Sequence, residues 1–367
     1  MNRRLRLFAE IIAVLAILLS SCVKDSQPGK DDNTEVGPGG DNNGGDNNGD
    51  DNGGDNGGGD NGGGDNGDNT GGDSGDNGDG DNTGGDNGDG GNTGGDNGDG
   101  GNTGGDNPVP GTANWLEMTS TLPGDRYVVN TTYDGKERNY THFYDKTMMT
   151  SLWTAYPLNS SHMGKYDRPK KWSYNPAISS EYQMHVTSGS FSDDAYSRGH
   201  MCPNGSRNGN KTMQNQTFYV TNQVPQIQNE FNGSIWATLE GAVQEIGRRE
   251  EIYIVTGVTF NKGNENKEIK YVKPKKDASQ DCPIPNYFYK VVLRVKHSGN
   301  TVTDARAIGF WFEHKKYGTK AKDFENYTET VDKIEEWTGF DFFINLPDKL
   351  EAAAESASPN WSEFKNW

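Results

Sequence analysis

The chain has 367 residues and a formal charge of −18, yet neither figure describes its working part. Residues 31–107 carry nineteen Asp and Glu35 with no Lys or Arg, whereas 108–367 hold 30 basic and 31 acidic groups and are close to neutral. What remains excludes a multi-span membrane protein, a disulfide miniprotein and a strongly basic protein that coats nucleic acid.

The N-terminus reads as a targeting signal. Arg3, Arg4 and Arg6 precede an apolar stretch from Ile11 to Leu19, well short of the ~20 residues needed to span a bilayer. Leu19-Ser20-Ser21-Cys22 resembles a bacterial lipobox, which implies cleavage before Cys22 and lipid attachment to it; an ordinary secreted signal is the alternative. Each buried methylene of such a lipid contributes ~0.8 kcal/mol of anchoring. No Asp directly follows Cys22, so the expected place is the outer membrane, on its periplasmic face or at the cell surface.

Residues 22–111 are then a tether, built from about Lys30 onward almost wholly of Gly, Asp, Asn and Thr, with a ten-residue unit repeated at 81 and 91. A calcium-loaded β-roll also uses Gly and Asp but needs a large apolar residue in each repeat, and none is present. Without apolar area to bury, nothing offsets the entropy of ordering, and the segment is expected to be disordered. Roughly 80 such residues span about 50 Å root-mean-square.

From Thr112 to the end the pattern turns to short alternating or β-branched runs: 139–144, 217–221, 252–256, 287–295 and 305–312. Helical periodicity predicts helices over about 233–248 and 326–338, the second ending at Gly339. Strands dominate without regular alternation with helices, which predicts one α+β domain over 112–367 with a mainly antiparallel sheet flanked by helices.

Two stretches carry chemistry: Tyr196-Ser197-Arg198-Gly199-His200-Met201-Cys202-Pro203, and Thr221-Asn222-Gln223-Val224-Pro225-Gln226 followed by Asn232, Trp236, Leu239 and Glu240. In order and spacing they resemble the DNA/RNA non-specific endonucleases, the ββα-metal or His-Me finger family of endonuclease G. The resemblance extends through Tyr253–Gly257, Pro285–Lys290, Val331–Gly339 and Leu346–Asp348, and spans about residues 139–350.

Phosphodiester hydrolysis needs an in-line nucleophile, a cation for developing charge, and help for the leaving oxygen. His200 suits a general base, since neutral imidazole is available near pH 7. Asn232 offers a neutral oxygen to Mg²⁺, which tolerates few protein ligands. At an α-helical 100° per residue, Glu240 would sit about 80° around the helix from Asn232, placed to hold ion-bound waters. The resemblance implies those same roles, Mg²⁺ with Mn²⁺ as its substitute, 5′-phosphate ends, and DNA and RNA substrates in single- or double-stranded form.

This sequence departs from the family pattern in three places. Ser197 stands where Asp is usual, which weakens or re-routes a hydrogen bond orienting the finger. One extra residue separates Gln226 from Asn232, making Asn229 a rival; only Asn232 keeps the steps to Trp236 and Glu240. An Arg before a Trp is expected upstream, and here the text is Arg168-Pro169-Lys170-Lys171-Trp172: Lys170 matches by position, Arg168 by chemistry. Arg198 is expected to serve substrate or fold. Asn222 and Gln226 either touch phosphate or brace the loop, and the lysines of 262–276 are a phosphate-tracking patch or a solvated loop.

With Cys22 acylated, Cys202 and Cys282 are an even pair, and an extracytoplasmic compartment favours a disulfide between them. It would be worth about 4 kcal/mol in the chain-entropy model. A zinc site on His200, Cys202 and Cys282 is the rival, but it would consume the base. The expected protein is a lipid-anchored nuclease, monomer or homodimer. A catalytically weak nucleic-acid-binding lipoprotein and a small-nucleotide phosphodiesterase are the alternatives.

Overall fold

The computed structural model describes residues 115–133 and 137–367; the signal segment, Cys22 and the tether lie outside the described residues. Seven strands form one sheet in the order β1-β2-β3-β6-β9-β10-β11: β1 Arg126–Tyr133, β2 Glu137–Asp145, β3 Thr150–Leu158, β6 Ile252–Thr259, β9 Tyr287–Ser298, β10 Thr301–Glu313 and β11 Thr328–Glu329. Every pairing in it is antiparallel. Two ribbons stand apart, β4 (Tyr196–His200) with β5 (Gln223–Ile227), and β7 (Lys270–Val272) with β8 (Cys282–Ile284). The helices are α1 Lys211–Gln216, α2 Ala237–Gly247, α3 Val331–Thr338, α4 Asp348–Glu355 and α5 Trp361–Lys365. This is the expected α+β architecture. None of these helices is long and apolar enough to cross a membrane.

Both faces of the central sheet are covered. On β9, Phe288 and Val292 join a core with Phe231, Trp236, Leu239 and Val243. The intervening Tyr289, Val291 and Leu293 join a second core with Val331, Ile334, Phe342 and Ala354. β10 repeats the alternation, with Ile308, Phe310 and Phe312 on the first face and Ala307 and Trp311 on the second. Fully burying each such side chain contributes roughly 1.5–3 kcal/mol, so these two layers dominate stability. The first face holds α2 and the β4–β5 ribbon next to it; the second holds α3 and α4.

Three segments differ from the sequence expectation. Residues 217–221 are not a strand. Thr217 N–H closes α1 onto Met213 and Gln214, Val220–Asn222 is a 3-10 turn, and only Tyr219 makes a bridge, to Ser173. β-branched residues here serve burial rather than extension. The helix expected from 233 begins earlier, with a π-helical turn over Gln228–Trp236. The helix expected from 326 begins at Val331, where the Thr330 side chain accepts from Lys333 N–H, and ends at Gly339 in the left-handed conformation, φ 77°.

Candidate active site

β4 and β5 pair so that Ser197 faces Gln226, Gly199 faces Val224 and His200 faces Gln223. Strand alternation divides the ribbon into two working faces. Ser197 and Gly199 look toward the helix that follows β5, while Arg198 and His200 look toward Trp172.

On the helix side, Ser197 Oγ donates to Gln226 O (3.4 Å) and accepts from Asn232 Nδ2 (3.3 Å). Asn232 Nδ2 also donates to Gln228 Oε1 at 3.1 Å. With the amide nitrogen held on two acceptors, the planar carboxamide turns Oδ1 away from them. Gly199 is required by close approach: a Cβ there would lie 2.6 Å from Cβ of the buried Gln226 and in collision with its carboxamide.

On the other side, the His200 ring lies between Trp172 (centroids 4.7 Å apart) and Phe218 (4.9 Å). Arg198 stacks on Trp172 at 4.9 Å and donates to Val186 O, and Arg168 stacks on Phe218 at 5.1 Å. Burial, followed by the charges of Arg168 and Arg198, holds the imidazole well below 6.5, so it is neutral at pH 7. Of the two upstream candidates, both exposed, Arg168 is the one stacked on Phe218, the ring that packs against His200. Lys170 is exposed on the same segment.

The π turn alters the relation of Asn232 to Glu240. A π-helix advances through fewer degrees per residue than an α-helix. The eight-residue step thus closes toward two whole turns, and the 80° offset expected from α geometry shrinks. Glu240 is half-buried, and burial pushes its carboxyl up to about 7 against the opposing charge of Lys290. Lys290 is 1% exposed, bonded to Thr256 Oγ1 and 5.0 Å above the Trp236 ring, and burial lowers it to about 8.

Asn222 is wholly buried and braces the ribbon's end: it accepts from Cys202 N–H and donates to the carbonyls of Cys202 and Thr217, each at 2.9 Å. Gln226 is 1% exposed with both carboxamide atoms unpartnered. His200 Nε2 and Gln223 Oε1 are buried without partners on the same ribbon. Buried polar atoms are nearly always satisfied; Gln226 leaves its carboxamide open on the face shared with Ser197 and Asn232, while His200 and Gln223 leave theirs open on the Trp172 face.

The expected disulfide is not formed. Cys202 and Cys282 are both free and buried, Cys202 in the sheet's first core and Cys282 in a separate cluster with Trp172, Met184 and Phe218. Burial pushes the two thiols up to about 11 and about 12. Compartment and an even count suggested a bridge, but packing sends the two side chains into different clusters. The 262–276 lysines are largely engaged locally: Lys262 on Trp337, Lys267 on Tyr287, Lys273 with Asp281 and Lys275 with Asp194.

One positioning residue had no motif to reveal it. His314 accepts from Ile227 N–H through Nε2 at 2.9 Å, and its Nδ1 bonds to Pro285 O at 2.8 Å. It ties the end of β5, where the Asn232 turn begins, to the central sheet. Burial lowers its pKa to about 4, which keeps the accepting nitrogen unprotonated.

A ribbon ending in an imidazole, closed by a helix that carries a carboxamide, is the ββα-metal nuclease arrangement. A model of the DNA/RNA non-specific endonuclease family matches residues 123–349. The chain belongs to that family of metal-dependent nucleases and is a nucleic-acid-hydrolysing enzyme. A nuclease of Nostoc sp. (strain PCC 7120) is 26% identical over 229 residues, 61% of this chain and 78% of that protein. Nuclease C1 of Cunninghamella echinulata var. echinulata is 26% identical over 225 residues, 59% and 84% respectively. A crystal structure of the EndoG/EndoGI complex aligns with a TM-score of 0.49 at 19% identity, covering 62% of this chain and 90% of that one.

Proposed function

We propose that the protein is a Mg²⁺-dependent, sugar-non-specific endonuclease that cuts DNA and RNA and leaves 5′-phosphate ends. The observation that carries this reading is an imidazole held between Trp172 and Phe218, with the Arg198 and Arg168 guanidiniums stacked on those rings, on the strand that Ser197 ties to Asn232. Ser197 and His200 are three residues apart, or ~10 Å of extended chain.

In this reading His200 takes the proton of the attacking water, and its depressed pKa keeps it ready to do so at neutral pH. Arg168 and Arg198 neutralise the phosphate, and Arg198 is held in place by Val186 O and the Trp172 ring. Asn232 Oδ1 would be the direct ligand of a Mg²⁺ ion and Glu240 would hold its waters; Mn²⁺ would substitute. When bound, the ion supplies charge stabilisation at the cleaved phosphate. Lys170 is an outer substrate contact, while Asn222 acts by bracing and the buried Gln226 makes no direct contact with substrate.

We also place the enzyme outside the cytoplasm, lipid-anchored through Cys22 to the outer membrane, with the nuclease domain of 112–367 at the end of its tether. Mass spectrometry of the mature N-terminus tests the anchor. Plasmid nicking and RNA cleavage in Mg²⁺ and in EDTA, with His200→Ala alongside, test the activity. Absence of cleavage by the wild type would favour a binding role. Hydrolysis of bis-nitrophenyl phosphate without plasmid nicking would favour a small-nucleotide phosphodiesterase.

A further inference from the structure

Behind the sheet, on the face opposite the candidate active site, five carboxylates converge from α3, the turn after it, and α4. One oxygen each of Asp332, Glu335 and Glu355 lie within 4.8 Å of one another, and so do one oxygen each of Asp341, Glu351 and Glu355. Oxygens that share a Ca²⁺ ion at its ~2.4 Å bond can lie no more than about 4.8 Å apart, and each triad is compact enough to meet that limit. Glu355 belongs to both.

Glu355 is also the residue that most needs a cation. It is 6% exposed, and its Oε1 has no hydrogen-bond partner. The groups that act on it are Glu335, which also shares a hydrogen bond with it, Glu351 and Asp341, all of its own sign; burial and their charge push its carboxyl up to about 11, so that without a cation it keeps a proton. It is the last residue of α4, where the helix's free carbonyls add further negative potential. Buried carboxylates are ordinarily paired or bound to metal. Nearby groups already have duties that fix the frame: Glu335 Oε1 accepts from Phe342 N–H at 2.9 Å, and Ala354 packs in the core below.

We propose that these carboxylates form a structural site for a calcium-class divalent cation, with Glu355 as the central ligand, clamping α3 to α4. An all-oxygen, carboxylate-rich cage suits Ca²⁺, which takes six to eight oxygens in flexible geometry. Mg²⁺ demands a near-ideal octahedron and keeps its waters, and the transition metals favour nitrogen and sulfur. The proposal is independent of the nuclease reading, because it concerns the opposite face of the sheet.

The test is thermal unfolding of the full-length, EDTA-treated and dialysed protein against added CaCl₂, for the wild type, Glu355→Gln, Glu351→Gln and Asn232→Ala. The acidic tether is common to all four and cancels. Saturating Ca²⁺ should raise Tm by about 5–10 °C in the wild type and equally in Asn232→Ala. The shift should vanish in Glu355→Gln and need at least tenfold more Ca²⁺ in Glu351→Gln, which keeps the test open if the first variant does not fold. A wild-type Tm indifferent to Ca²⁺, a shift preserved in both Gln variants, or a shift lost in Asn232→Ala would overturn the proposal.

Discussion

Ser197 Oγ and Asn232 Nδ2 are 3.3 Å apart, and through that contact the strand ending in His200 is fixed to the turn carrying Asn232. The hydroxyl works in both directions, because it also donates to Gln226 O on the neighbouring strand. A carboxylate in the same place could accept from Asn232 but could not donate to that carbonyl. Ser197 therefore supports the arrangement by a different pair of bonds from those an Asp would make.

Removing the hydroxyl should loosen Asn232 without unfolding the ribbon. Ser197→Ala loses two long, partly buried hydrogen bonds, worth together about 1–2 kcal/mol. The expected outcome is roughly a five- to thirtyfold fall in kcat/KM, with the Mg²⁺ midpoint raised. A Mg²⁺ titration of nicking rate checks it, with circular dichroism showing a retained fold.

After burial, the charge of Arg168 is predicted to contribute to the position of the acid limb of the pH profile. A neutral imidazole is the active form, so activity falls once pH drops below the folded pKa of His200, which lies well below 6.5. Replacing Arg168 by Gln removes a positive charge and raises that pKa, so the acid limb moves to higher pH. The pH dependence of kcat/KM measures the displacement; an unmoved limb would separate Arg168 from the base.

Gly199→Ala is predicted to destabilise by about 1–3 kcal/mol through overpacking. The new methyl meets the Gln226 side chain, which is buried and cannot swing into solvent. Urea unfolding would report it as a lower midpoint with an unchanged slope.

His314 should lose its stabilising role on acidification. Its folded pKa is depressed to about 4, against ~6.5 for the unfolded chain. The unfolded state therefore takes up the proton first, and the stability His314 contributes is complete above 6.5 and lost as pH falls toward 4. The difference in unfolding free energy between wild type and His314→Gln should be largest at pH 7 and shrink by pH 4.5. Urea melts at the two pH values decide it.

How much of this was visible beforehand depends on what each feature rests upon. His200, Asn232 and Glu240 could be singled out as candidates because their chemistry is tied to fixed spacing along two short stretches, and the structure brings Asn232 against Ser197 on the strand that ends in His200. The angle between Asn232 and Glu240 was not, because a π turn is a choice of backbone hydrogen bonds that no single residue announces. Central strands such as β9 read as near-continuous apolar runs, since the sheet is covered on both faces. The pairing of Cys202 with Cys282 was misread because compartment speaks to redox state and not to which core a side chain enters. His314 and Glu355 acquire meaning only when distant segments pack against them.

The most direct test of the account is the initial rate of plasmid nicking in Mg²⁺ by the wild type and by His200→Ala at equal, fold-verified concentration. The account predicts a loss of about 10²–10⁴-fold, the usual contribution of a positioned general base. Nicking by His200→Ala at the wild-type rate would contradict it.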